Sequence, residues 1–211
     1  MIPLPARGLY AIADTAWVGP ERIVAAIAGA IAGGAAMIQL RDKRGHISSH
    51  KDCLLSLVET CHENGVPFII NDDTELAVHI GADGVHVGQT DGDIAAIRKR
   101  LGPDAIIGVS CHDDIDSAHA AVSRGADYVA FGRFFPSLTK PDAPAADIGI
   151  LGQARASVDV PIVAIGGITP DNGALLLAAG ADLLAVIAGI FDQPDSRAAA
   201  AAYRNIFQQS S

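Results

Sequence analysis

The sequence predicts a single (β/α)8 barrel. Three observations carry that prediction. Strand-like and helix-like patterns alternate eight times along the chain. A Gly-Ala-Asp triplet recurs where a helix gives way to a strand. No change of composition divides the 211 residues, so one domain spanning residues 1–211 is expected. A doubly wound open sheet is the alternative that the same alternation allows.

The strand-like runs are Leu9–Ala13, Ala35–Leu40, Val66–Ile70, Gly84–Val87, Ala105–Val109, Tyr128–Phe131, Ile162–Ile165 and Leu183–Ile187. Each is a brief apolar run, as expected of parallel strands buried on both faces. Helical spacing predicts helices over Pro20–Ala32, Ser48–Asn64, Thr74–Ile80, Asp91–Leu101, Asp113–Arg124, Asp147–Ser157, Pro170–Ala179 and Ser196–Phe207. Ser48, Asp113 and Thr169-Pro170 stand where an N-cap or N1 proline belongs. Gly65, Gly81, Gly125 and Gly180 stand where helices stop. Gly81-Ala82-Asp83, Gly125-Ala126-Asp127 and Gly180-Ala181-Asp182 are the recurring triplets, with Gly34-Ala35-Ala36 a weaker copy. Repeated helix-to-strand turns give these aspartates a structural role at the bottom of the barrel. One loop is long, Gly132–Ala146, with Pro136, Pro141 and Pro144 in it, and long ordered loops serve as lids or binding loops.

Composition narrows the partners. A formal charge of -9 repels a phosphate backbone at long range, so nucleic acid is excluded as a partner. A phosphorylated small molecule remains open, because a local cluster of cations or a metal reverses the field inside one cleft. The apolar stretch from Ile23 to Ile38 is broken at Gly33-Gly34 and is too short for a membrane span. Met1-Ile2-Pro3-Leu4-Pro5 lacks the basic start of a secretory signal. Cys53, Cys61 and Cys111 form no Cys-x-x-Cys motif, which fits a reducing cytoplasm. The sequence leaves room for a homo-oligomer.

In such barrels the chemistry sits on the loops that follow the strands. Gln39-Leu40-Arg41-Asp42-Lys43 follows the second strand. Gln39, Arg41 and Lys43 alternate, so extended geometry aims two cations and an amide one way, as an oligophosphate would need. A solvated strand end is the plainer reading of the same residues. Asn71-Asp72-Asp73 follows the third strand and His86-Val87-Gly88-Gln89-Thr90-Asp91 the fourth. Carboxylates on adjacent strand ends, completed by water and phosphate oxygens, make a Mg²⁺ site. Asp73 and Asp91 also stand where helix caps would. His79 and His86 read as structural. Ser110-Cys111-His112 follows the fifth strand. Neighbours on a strand point to opposite faces, so these are no nucleophile–base pair, and Ser110 is read as a phosphate donor. Ser137, Leu138, Thr139 and Lys140 lie on the long loop, and Lys140 can close over phosphate. Gly166-Gly167 and Ile187-Ala188-Gly189 follow the seventh and eighth strands, the common phosphate site of this architecture, although simple turn chemistry also explains the glycines.

Taken in order, Gln39-Leu40-Arg41-Asp42-Lys43, Ile70-Asn71-Asp72, Gly84-Val85-His86-Val87-Gly88-Gln89 with Asp91, Gly108-Val109-Ser110, Thr139-Lys140 and Ile165-Gly166-Gly167-Ile168 resemble the thiamine phosphate synthases over essentially the whole chain. The resemblance implies that Asp72 and Asp91 hold Mg²⁺. It implies that Gln39, Arg41, Lys43, Asn71, Ser110 and Lys140, with Leu40 and Asp42 in the same segment, bind a hydroxymethylpyrimidine diphosphate. It assigns Ser137, Leu138, Thr139, Gly167, Ile187 and Ala188 to a thiazole phosphate, and catalysis to Arg41, Lys43, Ser110 and Lys140. The implied chemistry is dissociative: diphosphate leaves, and the thiazole nitrogen attacks a pyrimidinylmethyl cation. Two positions depart from the family. Arg133 stands where proline is common, and Ala188 where serine is common. A thiazole tautomerase-like isomerase on the same fold, with His112 as base, and a non-catalytic phosphate-binding barrel are the rival readings.

Overall fold

Alternation of side chains along each strand produces two apolar layers here rather than one apolar and one wet face. Tyr10, Ile12, Met37, Ile69, Ile106, Tyr128, Ala130, Val163, Leu183 and Ala185 pack together inside a ring of strands. Their neighbours, such as Leu9, Ala11, Ile38, Phe68, Val85, Ile107, Val129 and Leu184, face outward into a second layer shared with the helices. Burial on both sides is why the strands read as largely apolar runs.

The computed structural model describes residues 1–47, 50–89, 92–137 and 144–209. Its strands are β1 (Gly8–Asp14), β2 (Ala35–Arg41), β3 (Phe68–Asn71), β4 (Gly84–Val87), β5 (Ile106–His112), β6 (Tyr128–Phe131), β7 (Ile162–Ile165) and β8 (Leu183–Val186). They form a closed ring in chain order, every neighbouring pair parallel. Closure is made by β1 on β8, with Gly8 opposite Leu183 and Ala11 opposite Val186. That pairing excludes the open sheet. The helices are α1 (Pro20–Gly33), α2 (Lys51–Glu63), α3 (Thr74–Ile80), α4 (Ile94–Leu101), α5 (Ile115–Ser123), α6 (Gly149–Ser157), α7 (Gly173–Ala178), α8 (Ala188–Phe191) and α9 (Ser196–Gln209). Among the described residues no helix is long and apolar enough to cross a membrane.

The recurring triplets work as staples at the barrel bottom. Asp83, ahead of β4, accepts from the N–H of Phe68 in β3 at 2.9 Å. Asp127, ahead of β6, accepts from Ile107 in β5 at 2.7 Å. Asp182, ahead of β8, accepts from Ile162 in β7 at 2.8 Å. Each carboxylate thus holds the strand that precedes its own, and charge-assisted bonds to N–H groups are among the stronger ones. Asp127 and Asp182 also pair with Arg98 and Arg155. Asp83 is fully buried and accepts in addition from Ile2 N at 2.7 Å and His62 Nε2 at 2.8 Å, which ties down the start of the chain. The fourth copy has Ala36 in place of the aspartate.

Several helix starts differ from expectation. The α4 cap is Asp93, which accepts from Ala95 N at 3.3 Å, and α5 is capped by Asp114 rather than Asp113. Asp73 caps α3, accepting from Leu76 N at 2.8 Å. Thr169-Pro170 opens a turn instead of a helix: Asn172 Oδ1 accepts from Thr169 N at 2.8 Å, and α7 begins at Gly173. Ser48 lies outside the described residues. The helix α8 was not expected at all.

Candidate active site

Three groups of residues lie between the barrel centre and the carboxyl ends of the strands. The first is ionic. Arg41 ends β2 and pairs with Asp14, the residue opposite it at the end of β1. Asp14 is 2% exposed and also accepts from Ala16 N at 2.9 Å, so it is a buried carboxylate held by a cation and an amide. Lys43 pairs with Asp72 on the β3 loop, and Asn71 Nδ2 donates to the same carboxylate oxygen at 2.6 Å. The expectation that strand alternation aims Gln39, Arg41 and Lys43 one way holds for Gln39 and Arg41 within β2 and is corrected for Lys43. Strand geometry stops at Arg41, so alternation no longer orders Lys43, and each group meets a different partner. Leu40 is buried among the helix-facing residues and can reach the mouth only through its backbone. Asp42 organises its own loop, accepting from Thr15 Oγ1 at 2.8 Å, His46 N at 2.9 Å and Ile47 N at 2.7 Å.

Asp72 has a positive φ of 63°, a conformation that aspartate tolerates better than most residues, and its N–H donates to His86 O at 2.9 Å. The backbone therefore turns the carboxylate up to the mouth, with the side chain 27% exposed. A hard carboxylate at this place suits Mg²⁺, which takes one or two carboxylates and completes its shell with water and phosphate oxygens. Asp91 lies outside the described residues, and among the described residues no three His, Cys, Asp or Glu side chains converge. Asp93 caps α4, so that helix does not need Asp91 as its cap.

The second group is a polar chain through the barrel centre. Gln39 Nε2 donates to Tyr10 Oη at 2.5 Å, and Tyr10 and Tyr128 hydroxyls are 2.9 Å apart. Tyr128 Oη lies 2.9 Å from His86 Nδ1, and His86 Nε2 lies 2.8 Å from Ser110 Oγ. Burial pushes both phenols above their ordinary pKa, so they stay neutral. Gly108 makes room for this chain. A Cβ there would stand 1.9 Å from Tyr128 Cζ. Gly108→Ala is expected to displace Tyr128 and to cost about 1–3 kcal/mol, the usual range for overpacking. A denaturation midpoint equal to that of the parent protein would contradict this.

The third group is a cavity of about 310 Å³ at the ends of β5 to β8, lined by Ser110, Arg133, Ser137, Gly167, Ile187 and Ala188 among others. It gathers the described members of the expected thiazole phosphate set and places Ser110 at its edge. Gly166 and Gly167 both have positive φ, at 102° and 65°. The strand-six loop lies directly on them: Phe135 N donates to Gly166 O at 3.0 Å, and a Cβ on Gly167 would stand 2.3 Å from Pro136 O. The glycines therefore serve close packing of loop on loop as well as any ligand. Among the described residues, no acceptor faces the N–H groups of Ala188 and Gly189. Tyr203 Oη donates to Ile168 O at 3.0 Å and holds the floor of the β7 loop. Leu138, Thr139 and Lys140 lie outside the described residues.

Cys111 points away from Ser110 into the helix-facing layer, as strand alternation requires. Burial pushes its thiol up to about 12, so it is no thiolate nucleophile.

A family model described as thiamine monophosphate synthase matches residues 9–190. The chain belongs to the thiamine monophosphate synthase family. A thiamine-phosphate synthase of Nitrosococcus oceani is 52% identical over 95% of this chain and 93% of its own. One from Chromobacterium violaceum is 48% identical over 98% and 99%. A solved thiamine phosphate pyrophosphorylase from Pyrococcus furiosus superposes with a TM-score of 0.86 at 32% identity, covering 97% of each chain. The chain is accordingly an enzyme, a transferase of thiamine monophosphate synthesis, built as a (β/α)8 barrel. In the thiamine monophosphate synthase frame, Tyr10 and Tyr128 are residues that sequence reasoning passed over, and His86 is one that it read as structural. Their signal was parity: each sits at an inward position of its strand, where a polar group needs a partner.

Proposed function

We propose that the enzyme joins a hydroxymethylpyrimidine diphosphate to a thiazole phosphate, with Mg²⁺, by departure of diphosphate before attack of the thiazole nitrogen. The observation that supports this most is the division of one barrel mouth. Arg41, Lys43, Asn71 and Asp72 lie on the β1–β3 side, a 310 Å³ cavity with free backbone N–H groups lies on the β6–β8 side, and Ser110 lies between them. Two anionic substrates can meet there with their reacting carbons and nitrogen near the middle.

Asp72 and Asp91 would hold the metal, which supplies positive charge to the departing diphosphate. Arg41, Lys43 and Lys140 bind the same diphosphate and stabilise the charge that it gains as the bond breaks. No protein nucleophile is needed. The backbone N–H groups of Ala188 and Gly189 receive the thiazole phosphate, where Ala188 offers no hydroxyl. Holding the thiazole nitrogen beside the electron-poor carbon removes the entropic cost of encounter, and the loop from Gly132 to Ala146 keeps water from the cation.

The test is product formation. Purified protein, both phosphorylated substrates and Mg²⁺ should give thiamine phosphate, detected after oxidation to its fluorescent thiochrome form, and a parallel sample with EDTA should give none. Equal product with EDTA would overturn the metal's role. No product from folded protein would favour the isomerase reading with His112, which lines the cavity rim.

A further inference from the structure

The polar chain inside the barrel has a direction, and its direction can be worked out from one end. Gln39 presents its amide nitrogen to Tyr10, and an amide nitrogen only donates. Tyr10 Oη therefore accepts from Gln39, and its single hydrogen is left for Tyr128, 2.9 Å away. Tyr128 then accepts from Tyr10 and has its own hydrogen for His86 Nδ1, also at 2.9 Å. A nitrogen that accepts carries no hydrogen, so the neutral imidazole bears its proton on Nε2. That Nε2–H donates to Ser110 Oγ at 2.8 Å. Ser110 lines the cavity, and the order leaves its hydroxyl hydrogen, at the far end from Gln39, with no protein acceptor.

We infer that His86 is a positioning residue: the chain Gln39→Tyr10→Tyr128→His86→Ser110 fixes the imidazole as its Nε2–H tautomer and leaves the Ser110 hydroxyl hydrogen for the substrate. The inference rests on the reading of Ser110 as a substrate contact. Several features of the barrel agree with it. The phenols are kept neutral by burial, so each has one hydrogen to pass on. His86 and Tyr128 rings stack with centroids 5.5 Å apart and 22° between planes, which holds the imidazole edge toward Ser110. Gly108 leaves the space that Tyr128 fills. No buried side-chain nitrogen or oxygen among the described residues lacks a partner, so the chain is satisfied along its length. Each donor in such a chain polarises the next, which makes the last hydroxyl a better donor than an isolated serine. A donor at this place suits anionic oxygen on a phosphorylated substrate, and a serine that donated to His86 instead would meet it with a lone pair. Were the Gln39 amide turned over, every bond would reverse, and Ser110 would spend its hydrogen on His86.

The direction is readable without turnover. Nitrogen-15 NMR of the intact protein at alkaline pH, where imidazoles are neutral, should show His86 protonated at Nε2 and bare at Nδ1, the signal assigned by its loss in His86→Gln. The Nδ1–H tautomer would overturn the inference outright. A double-mutant cycle then tests the coupling between Tyr128 and Ser110, which do not touch. Tyr128→Phe removes the hydrogen that Nδ1 accepts, so it should slow turnover about tenfold or more in the parent protein and less than about twofold in Ser110→Ala. Equal losses in both backgrounds would mean that Tyr128 acts by packing alone and would overturn the positioning role. Full activity of Ser110→Ala with the Nε2–H tautomer intact would overturn the substrate assignment of Ser110 rather than the direction of the chain.

Discussion

Asp72→Asn is expected to lower kcat/KM by about 10²–10³-fold, the range seen when one group that stabilises developing charge is removed. The Mg²⁺ concentration for half-maximal rate should also rise more than about tenfold, the scale on which groups around a metal alter its affinity. Asparagine is the informative substitution. Asp72 has a φ of 63°, a region that asparagine enters with little strain, whereas alanine there costs roughly 1–2 kcal/mol. The ion pair with Lys43 joins side chains that are 54% and 27% exposed, so its loss costs about 0–1 kcal/mol and leaves the fold in place. Any large effect on rate then belongs to the chemistry. The measurement is initial rate against Mg²⁺ for parent and variant, with denaturation curves alongside. Parent-like activity at the same half-saturating Mg²⁺ would sink the metal assignment of Asp72.

The barrel was legible because its strands are buried twice over. Runs such as Ile162–Ile165 and Leu183–Val186 have no polar face to break them, and a glycine with an aspartate announces the next strand. Asp83, Asp127 and Asp182 could be assigned to the bottom before any contact was known, because the same triplet three times over calls for one local geometry. Boundaries were harder, since they depend on single hydrogen bonds. Asn172 takes the N–H of Thr169 and delays α7 to Gly173, and Asp93 is the cap of α4. The helix α8 has only four residues, too few to show a period.

The site was legible as a set of strand ends and not as a set of contacts. Ser137, Gly167, Ile187 and Ala188 share one cavity because they follow strands that are neighbours in a closed ring. The partners of Gln39 and Ser110 were hidden. Tyr10 and Tyr128 are 118 positions apart in the chain, and only the inward parity of both brings their hydroxyls together. His86 looked structural for the same reason: its partners Ser110 and Tyr128 stand one and two strands away.

The proposed reaction gives Arg41 a part in chemistry besides its part in stability, and the two can be separated. Arg41→Ala should destabilise the fold by about 3–5 kcal/mol, because Asp14 is 2% exposed and would be left as an uncompensated buried charge. It should also slow turnover by about 10²-fold or more, because a guanidinium has five N–H donors and the pair with Asp14 engages one nitrogen, leaving others for diphosphate. Adding Asp14→Asn removes the orphaned charge and should restore most of the stability, since a neutral amide tolerates that burial better. It should restore none of the rate. Urea midpoints and kcat/KM for the two single variants and the double variant make the comparison. If the double variant recovered its rate together with its stability, Arg41 would serve only to neutralise Asp14, and the diphosphate would have to be held by Lys43, Asn71 and the loop that carries Lys140. If stability returns and rate does not, the ion pair is the means by which a buried carboxylate holds a phosphate-binding guanidinium at the barrel mouth.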